Sequence, residues 1–159
     1  MANSESRLTG GCQCGAVRYA LRTVEGPALC HCRMCQKAFG SYFAPLGTAI
    51  DLVWTRGAPS RFNSSNRAAR AFCSACGTPL AYLQDDGGIE LALGTLDDPS
   101  AVPPVKQIND ADALPFFATL HTLPNPHRGD DAAFNATVTS YQHPDHDTEV
   151  WPTEGGTAK

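Results

Sequence analysis

Cys30-His31-Cys32-Arg33-Met34-Cys35 places three thiols within six residues, the densest run of reactive side chains in the sequence. The residues at 33–39 (RMCQKAF) are good helix formers and Gly40 is a stop signal, so Cys35 is expected in the first turn of a short helix. Just before it, Cys30 and Cys32 stand two apart on an extended segment. Side chains at that spacing share a face, so both can turn toward one ion. A thiol near a helix start is also expected to ionise more readily.

The other four cysteines form two pairs, Cys12-Gln13-Cys14 and Cys73-Ser74-Ala75-Cys76, and these groups account for all seven. Cys12 and Cys14, read as extended, point the same way. The C-x-x-C turn brings Cys73 and Cys76 together, and Gly77 permits a tight bend beside a metal. An odd number of cysteines fits poorly with a closed disulfide framework. The polar N-terminal residues lack the apolar core of a secretory signal, so a cytoplasmic location is expected. In that reducing compartment clustered thiols read as metal ligands.

Zinc is the metal such thiolates favour, and two Zn2+ per chain are expected. Structural zinc takes four protein ligands, whereas catalytic zinc keeps three and an open position. The simplest partition gives a four-sulfur structural site (Cys12, Cys14, Cys73, Cys76) and a three-sulfur site (Cys30, Cys32, Cys35). Spacing leaves open a four-sulfur site that borrows from the triplet. It also leaves open His31 as a fourth ligand of the triplet, although in an extended C-x-C that side chain points away. The outer pairs lie about sixty residues apart, and closing such a loop costs about 3–4 kcal/mol. A structural zinc returns roughly 10–16 kcal/mol, so the metal dominates.

The chain has 159 residues with 14 glycines and 12 prolines. That length favours one domain, and that density of turn formers favours short strands over a helix bundle. A mostly β fold with one short helix is expected. Strands are expected at 16–22, 41–46, 52–55, 70–72, 79–83 and 89–93, with Asp85-Asp86-Gly87-Gly88 as a hairpin turn. Pro27 is read as a break, and 114–120 as a strand or short helix. Residues 1–8 read as a flexible lead-in, 9–141 as the zinc domain and 142–159 as a mobile polar tail. The net charge is −4 and no Lys or Arg adjoins another, so no footprint for nucleic acid is expected. No apolar stretch approaches the roughly 20 residues that cross a bilayer.

Three thiolates leave a zinc site with net negative charge, a weak Lewis acid poorly suited to making hydroxide. Such a site suits capture of another thiol, which loses its proton as it binds. Arg33 and Lys37 are candidates to offset the charge, and equally read as solvated helix residues. Tyr19, Phe39, Phe43, Trp54 and Phe72 read as core or strand-pairing aromatics. Asp97 and Asp98 read as a turn before Pro99, and His143 and His146 as residues of a solvated tail.

Four ordered motifs carry a resemblance: GGCQCGAVRY at 10–19, CHCRMC at 30–35, FCSACGTPL at 72–80 and LGTLDDP at 93–99. Over roughly residues 8–125 the chain resembles the glutathione-dependent formaldehyde-activating enzyme family, also called the Gfa or CENP-V-like family. The resemblance implies an Mss-type, zinc-stapled β fold. It implies structural zinc at Cys12, Cys14, Cys73 and Cys76, and an active-site zinc at Cys30, Cys32 and Cys35, which would be the catalytic residues. It also implies a carbon–sulfur lyase-type activity, in which the sulfur of glutathione adds to a small aldehyde such as formaldehyde, or the adduct is cleaved. Gln107 and Phe116 depart from the family pattern, in place of a His and a Trp that the resemblance sets along the substrate cleft. The competing reading is a non-catalytic, zinc-stapled β domain that binds a protein partner. A redox or metal-storage protein is a third reading.

Overall fold

The computed structural model describes residues 7–126 and 131–151. The described chain is mostly β, with ten strands in two sheets and a few short helices. The strands are β1 (Leu8–Gly11), β2 (Arg18–Leu21), β3 (Thr23–Cys30), β4 (Ala44–Ile50), β5 (Val53–Arg56), β6 (Ser60–Asn63), β7 (Ala68–Phe72), β8 (Pro79–Gln84), β9 (Ile89–Ala92) and β10 (Lys106–Ile108). Two α-helices, α1 (Arg33–Phe39) and α2 (Asp131–Asn135), and several 3-10 turns complete it. The smaller sheet has the order β1-β2-β5 and the larger β10-β3-β4-β9-β8-β7-β6. Every named pair is antiparallel except β10 with β3.

Local chemistry explains most of these elements. The expected helix spans 33–39, and Gly40 ends it in the left-handed conformation at φ 58°, where a residue without Cβ carries no penalty. The Asp85–Gly88 turn closes β8 onto β9 with Gly87 at φ 95° and Gln84 N–H donating to Gly88 O at 2.8 Å. The segment 114–120 runs into the 3-10 turn Phe117–Thr122, the short-helix alternative rather than a strand.

Pro27 does not break the chain. It lies inside β3, where the register with β4 slips between Glu25 and Ala28 and Gly26 takes φ 54°. A bulge tolerates a residue that has no N–H to give. The Pro27 carbonyl still accepts from Val105 N–H at 2.9 Å, just before β10.

The segment expected as a mobile tail is docked over the part described. His143 is buried, its N–H donates to Gln13 O at 2.8 Å, and the indole of Trp151 donates to Cys14 O at 2.8 Å. Asp147 pairs with Arg18, and Arg56 donates to the Thr148 carbonyl. These residues are polar in sequence yet find fixed partners, which composition does not report. Residues 152–159 of the expected tail, and 1–6 of the expected lead-in, lie outside the described residues.

Two apolar clusters form the core. The larger joins Val17, Tyr19, Leu21, Leu80, Leu91, Leu93 and Leu96 to the buried Cys12 and Cys73. The smaller joins Ala44 and Leu46 to Cys30 and Cys35, with Cys32 and Phe39 against it. Tyr19 and Trp54 meet edge to face in the core as expected, with ring centroids 5.9 Å apart. Phe39, Phe43 and Phe72 are half-buried.

Candidate metal centres and the cleft beside them

The sulfurs of Cys12, Cys14, Cys73 and Cys76 lie within 4.8 Å of one another, and so do those of Cys30, Cys32 and Cys35. No disulfide joins any of the seven. The Cys12–Cys14 and Cys14–Cys73 sulfurs are 3.6 and 3.8 Å apart. A tetrahedron with zinc–sulfur arms of about 2.3 Å has edges of about 3.8 Å, so this donor set fits zinc.

Two similar turns build the four-sulfur cluster. Cys12 follows β1, and its carbonyl accepts from Gly15 N–H at 3.0 Å; Cys73 follows β7, and its carbonyl accepts from Gly77 N–H at 2.8 Å. Gly15 and Gly77 both sit at positive φ, 75° and 78°. The C-x-C pair therefore lies on a turn and not on the extended segment expected. One turn belongs to the smaller sheet and the other to the larger, so the cluster joins the two sheets. The thiols there are not alike. Burial pushes Cys14 up to about 12, whereas hydrogen bonds from Thr78 outweigh burial at Cys76 and bring it down to about 6.

The three-sulfur cluster is local in sequence. Cys30 ends β3, Cys32 caps α1 with its sulfur accepting from Cys35 N–H at 3.4 Å, and Cys35 lies in the first turn. Burial pushes the Cys35 thiol up to about 12, against Arg70, which lowers it. The expected helix-start effect is thus outweighed by burial at Cys35. Cys30 is buried too, but the Cys32 backbone and the Asn109 amide, 3.4 Å from its sulfur, hold it below the usual thiol value.

The cluster forms one wall of a cleft of about 470 Å³, also lined by Thr48, Arg70, Tyr82, Glu90 and Lys106. A hollow of about 410 Å³ touches Cys12 and Cys76. The number of sulfurs separates the two clusters better than the hollows do, because four fill a tetrahedral ion and three leave one position.

His31 is not part of the sulfur cluster. It is wholly buried, pairs through Nε2 with Gln107 Oε1 at 2.8 Å, and packs edge-on against Phe117. Gln107 therefore supports His31, and Phe116 meets Tyr42 edge to face; neither lines the cleft. Arg33 and Lys37 are exposed, and Arg33 bonds Gln36. The cation on the sulfurs is instead Arg70, with Nη2 3.4 Å from Cys35 Sγ. Sequence reading missed it, although one arginine among the alanines of β7, three residues before Cys73, is a visible signal. Asp97 is a structural partner of Arg18, at 2.6 Å, and of Thr9.

The family model for the glutathione-dependent formaldehyde-activating enzyme matches residues 7–111. The chain belongs to this family. That match spans both sulfur clusters and the strands that carry them. A crystal structure of a Rhodobacter sphaeroides protein is similar in fold, with a TM-score of 0.51 and 22% identity over 63% of this chain and 99% of the other. Among the described residues no helix of the family member is long and apolar enough to cross a membrane.

Proposed function

We propose that the chain is a zinc-dependent carbon–sulfur lyase-type enzyme, forming or cleaving adducts between glutathione and a small aldehyde such as formaldehyde. The observation that carries this reading is the triplet of Cys30, Cys32 and Cys35 at the wall of a cleft, one ligand short of a closed zinc site. Cys12, Cys14, Cys73 and Cys76 are proposed as the structural site, with a full set of four.

Cys30, Cys32 and Cys35 would hold the zinc, which would supply an open position able to take a thiol as its nucleophilic thiolate. The chain's own groups do the rest. The Cys30, Cys32 and Cys35 sulfurs orient that position, Asn109 donates to Cys30, and Arg70 offsets negative charge at Cys35. The smaller apolar cluster behind the sulfurs keeps water from their buried side. The family description supports glutathione and formaldehyde as the reacting pair.

Exchange NMR of glutathione with formaldehyde tests the reading. The zinc-loaded chain is expected to accelerate adduct formation and decay, and Cys32→Ser to lose the acceleration while keeping its fold. A native chain that leaves the spontaneous rate unchanged overturns it.

A further inference from the structure

Two charged side chains line the cleft beside the triplet without an ionic partner. Glu90 stands opposite Thr48 in the register of β4 with β9. Its Oε1 accepts from the Thr48 hydroxyl at 2.9 Å and from the Gln84 amide at 3.3 Å, which fixes the carboxylate in direction. Its Oε2 takes no bond among the described residues and stays open to solvent. Lys106, on the edge strand β10, is exposed and lines the same cleft. Its ammonium reaches over β3 to Gly26, where a Cβ would come within 3.1 Å of Nζ. Among the described residues neither charge forms an ion pair, with the other or with a third group.

Register places both charges at the end of the cleft away from the sulfurs. Cys30 pairs with Ala44 and Glu90 with Thr48, so Glu90 lies four residues farther along β4 than the sulfur end. At about 3.3 Å per residue, that is roughly 13 Å of strand. Gly26, under the Lys106 ammonium, likewise lies four residues before Cys30 on β3. Glu90 is held against β4 and the Lys106 ammonium over β3, and neighbouring strands stand about 4.8 Å apart. A cation and an anion therefore sit side by side, unpaired, at one end of a cleft whose other end is sulfur.

A gap of this kind fits a ligand group that carries both charges, and an α-amino-acid head has that form. In free cysteine the head is attached next to the carbon that bears sulfur, too near it to span the cleft. A γ-glutamyl link moves the head outward by five bonds, about 6 Å. We infer that Glu90 and Lys106 are specificity-determining residues for a γ-glutamyl thiol, Glu90 receiving the ammonium of its head and Lys106 the carboxylate while its sulfur reaches the triplet. The inference rests on the thiol–aldehyde reading above and names the part of the thiol that the cleft recognises. No bond forms or breaks at this end; its contribution is to hold the thiol in one orientation.

The test compares thiols that differ at one end only. Glutathione, γ-glutamylcysteine, N-acetylcysteinylglycine and 2-mercaptoethanol are titrated into the cobalt-loaded chain and followed by the cobalt–thiolate absorption. γ-Glutamylcysteine keeps the head and lacks the glycine; N-acetylcysteinylglycine keeps the glycine and lacks the head. The native chain is expected to bind the two γ-glutamyl thiols within about threefold of each other. Both should bind about tenfold more tightly than N-acetylcysteinylglycine, the gain from one charge-assisted hydrogen bond once the exposure of Lys106 is discounted. Glu90→Gln and Lys106→Gln should each cut that ratio to about threefold, and the double substitution should bring it to unity. The response to 2-mercaptoethanol shows in each variant that the triplet still takes a thiol. Lys106 is exposed, so its substitution leaves the fold intact and decides the case if Glu90→Gln does not fold. A native ratio near unity, or one that survives in Lys106→Gln, overturns the head-group site and leaves the thiol–aldehyde reading standing. A native spectrum that responds to none of the four thiols shows a closed metal site, and both fall together.

Discussion

The two sulfur clusters use the same atoms for opposite ends. The four-cysteine cluster draws its sulfurs from turns about sixty residues apart, joins two sheets, and sits in the larger apolar core under the docked segment around His143 and Trp151. The three-cysteine cluster draws its sulfurs from one strand end and one helix turn, within six residues of sequence, and borders a cleft lined by Arg70 and Lys106. Long-range ligands make a metal part of the fold, because the unfolded chain must close a large loop to bind it. Local ligands leave the fold largely independent of the metal, so a position can stay open for chemistry.

The sharpest way to break this contrast is a serine in each cluster. Cys73→Ser removes a ligand from the cluster that joins the sheets. Losing much of the roughly 10–16 kcal/mol of a structural zinc exceeds the ~5–15 kcal/mol that a domain has in total. Loss of native circular dichroism and of a cooperative melt is expected. Cys32→Ser, at a half-buried position beside the cleft, should keep that melt and lose about two orders of magnitude in adduct exchange. Equal destabilisation by the two substitutions would show that both clusters are structural staples.

A smaller effect checks that the four-cysteine end is held by more than metal. Arg18 is 3% exposed and bonded by Asp97 and by Asp147. Asp97 is partly buried, which alone would raise its carboxyl, but the bonds from Arg18 and Thr9 hold it below the usual carboxylate value. A depressed carboxylate contributes stability above its unfolded pKa of about 3.9 and loses it as the pH falls through its folded value. Asp97→Asn is therefore expected to cost about 3 kcal/mol at pH 7, by denaturant titration. The gap from the native chain should narrow below about pH 4. A gap that stays constant through that range would count against the ion pair.

Particular residues show what was legible in the sequence. The helix at 33–39, its glycine stop, the Asp85–Gly88 turn and the grouping of the cysteines all rest on neighbours within a few positions, and each stands in the structure as read. The strands β3 and β10 were not legible. One hides a proline in a bulge, and the other, Lys106–Ile108, is exposed and pairs with a segment almost eighty positions away. Arg70 and the docked segment escaped for the same reason. Their meaning lies in what they touch: the Cys35 sulfur on α1 for Arg70, and carbonyls of the Cys12–Cys14 turn for His143 and Trp151.

That docked segment sharpens the comparison further, because it covers one cluster only. A Cβ at Gly15 would come within 2.4 Å of the His143 ring and 2.6 Å of the Trp151 indole, so Gly15 both bends the Cys12–Cys14 turn and lets the segment close over it. The two rings themselves meet edge to face, 5.0 Å apart. Trp151→Ala removes the indole bond to Cys14 O and this packing, at a cost of about 1–3 kcal/mol. Zinc release to a coloured chelator should then show two phases in the native chain, fast from the open triplet and slow from the closed cluster. The substitution should quicken the slow phase several-fold and leave the fast one alone. Acid should act in the same direction. Burial and then the charge of Arg18 hold His143 below the usual imidazole value. The docked state therefore loses stability as the pH falls below about 6.5, where the released histidine takes up a proton. If Trp151→Ala quickened both phases alike, the two clusters would be coupled through the core, and the division between a fold-holding metal and a chemical one would fail.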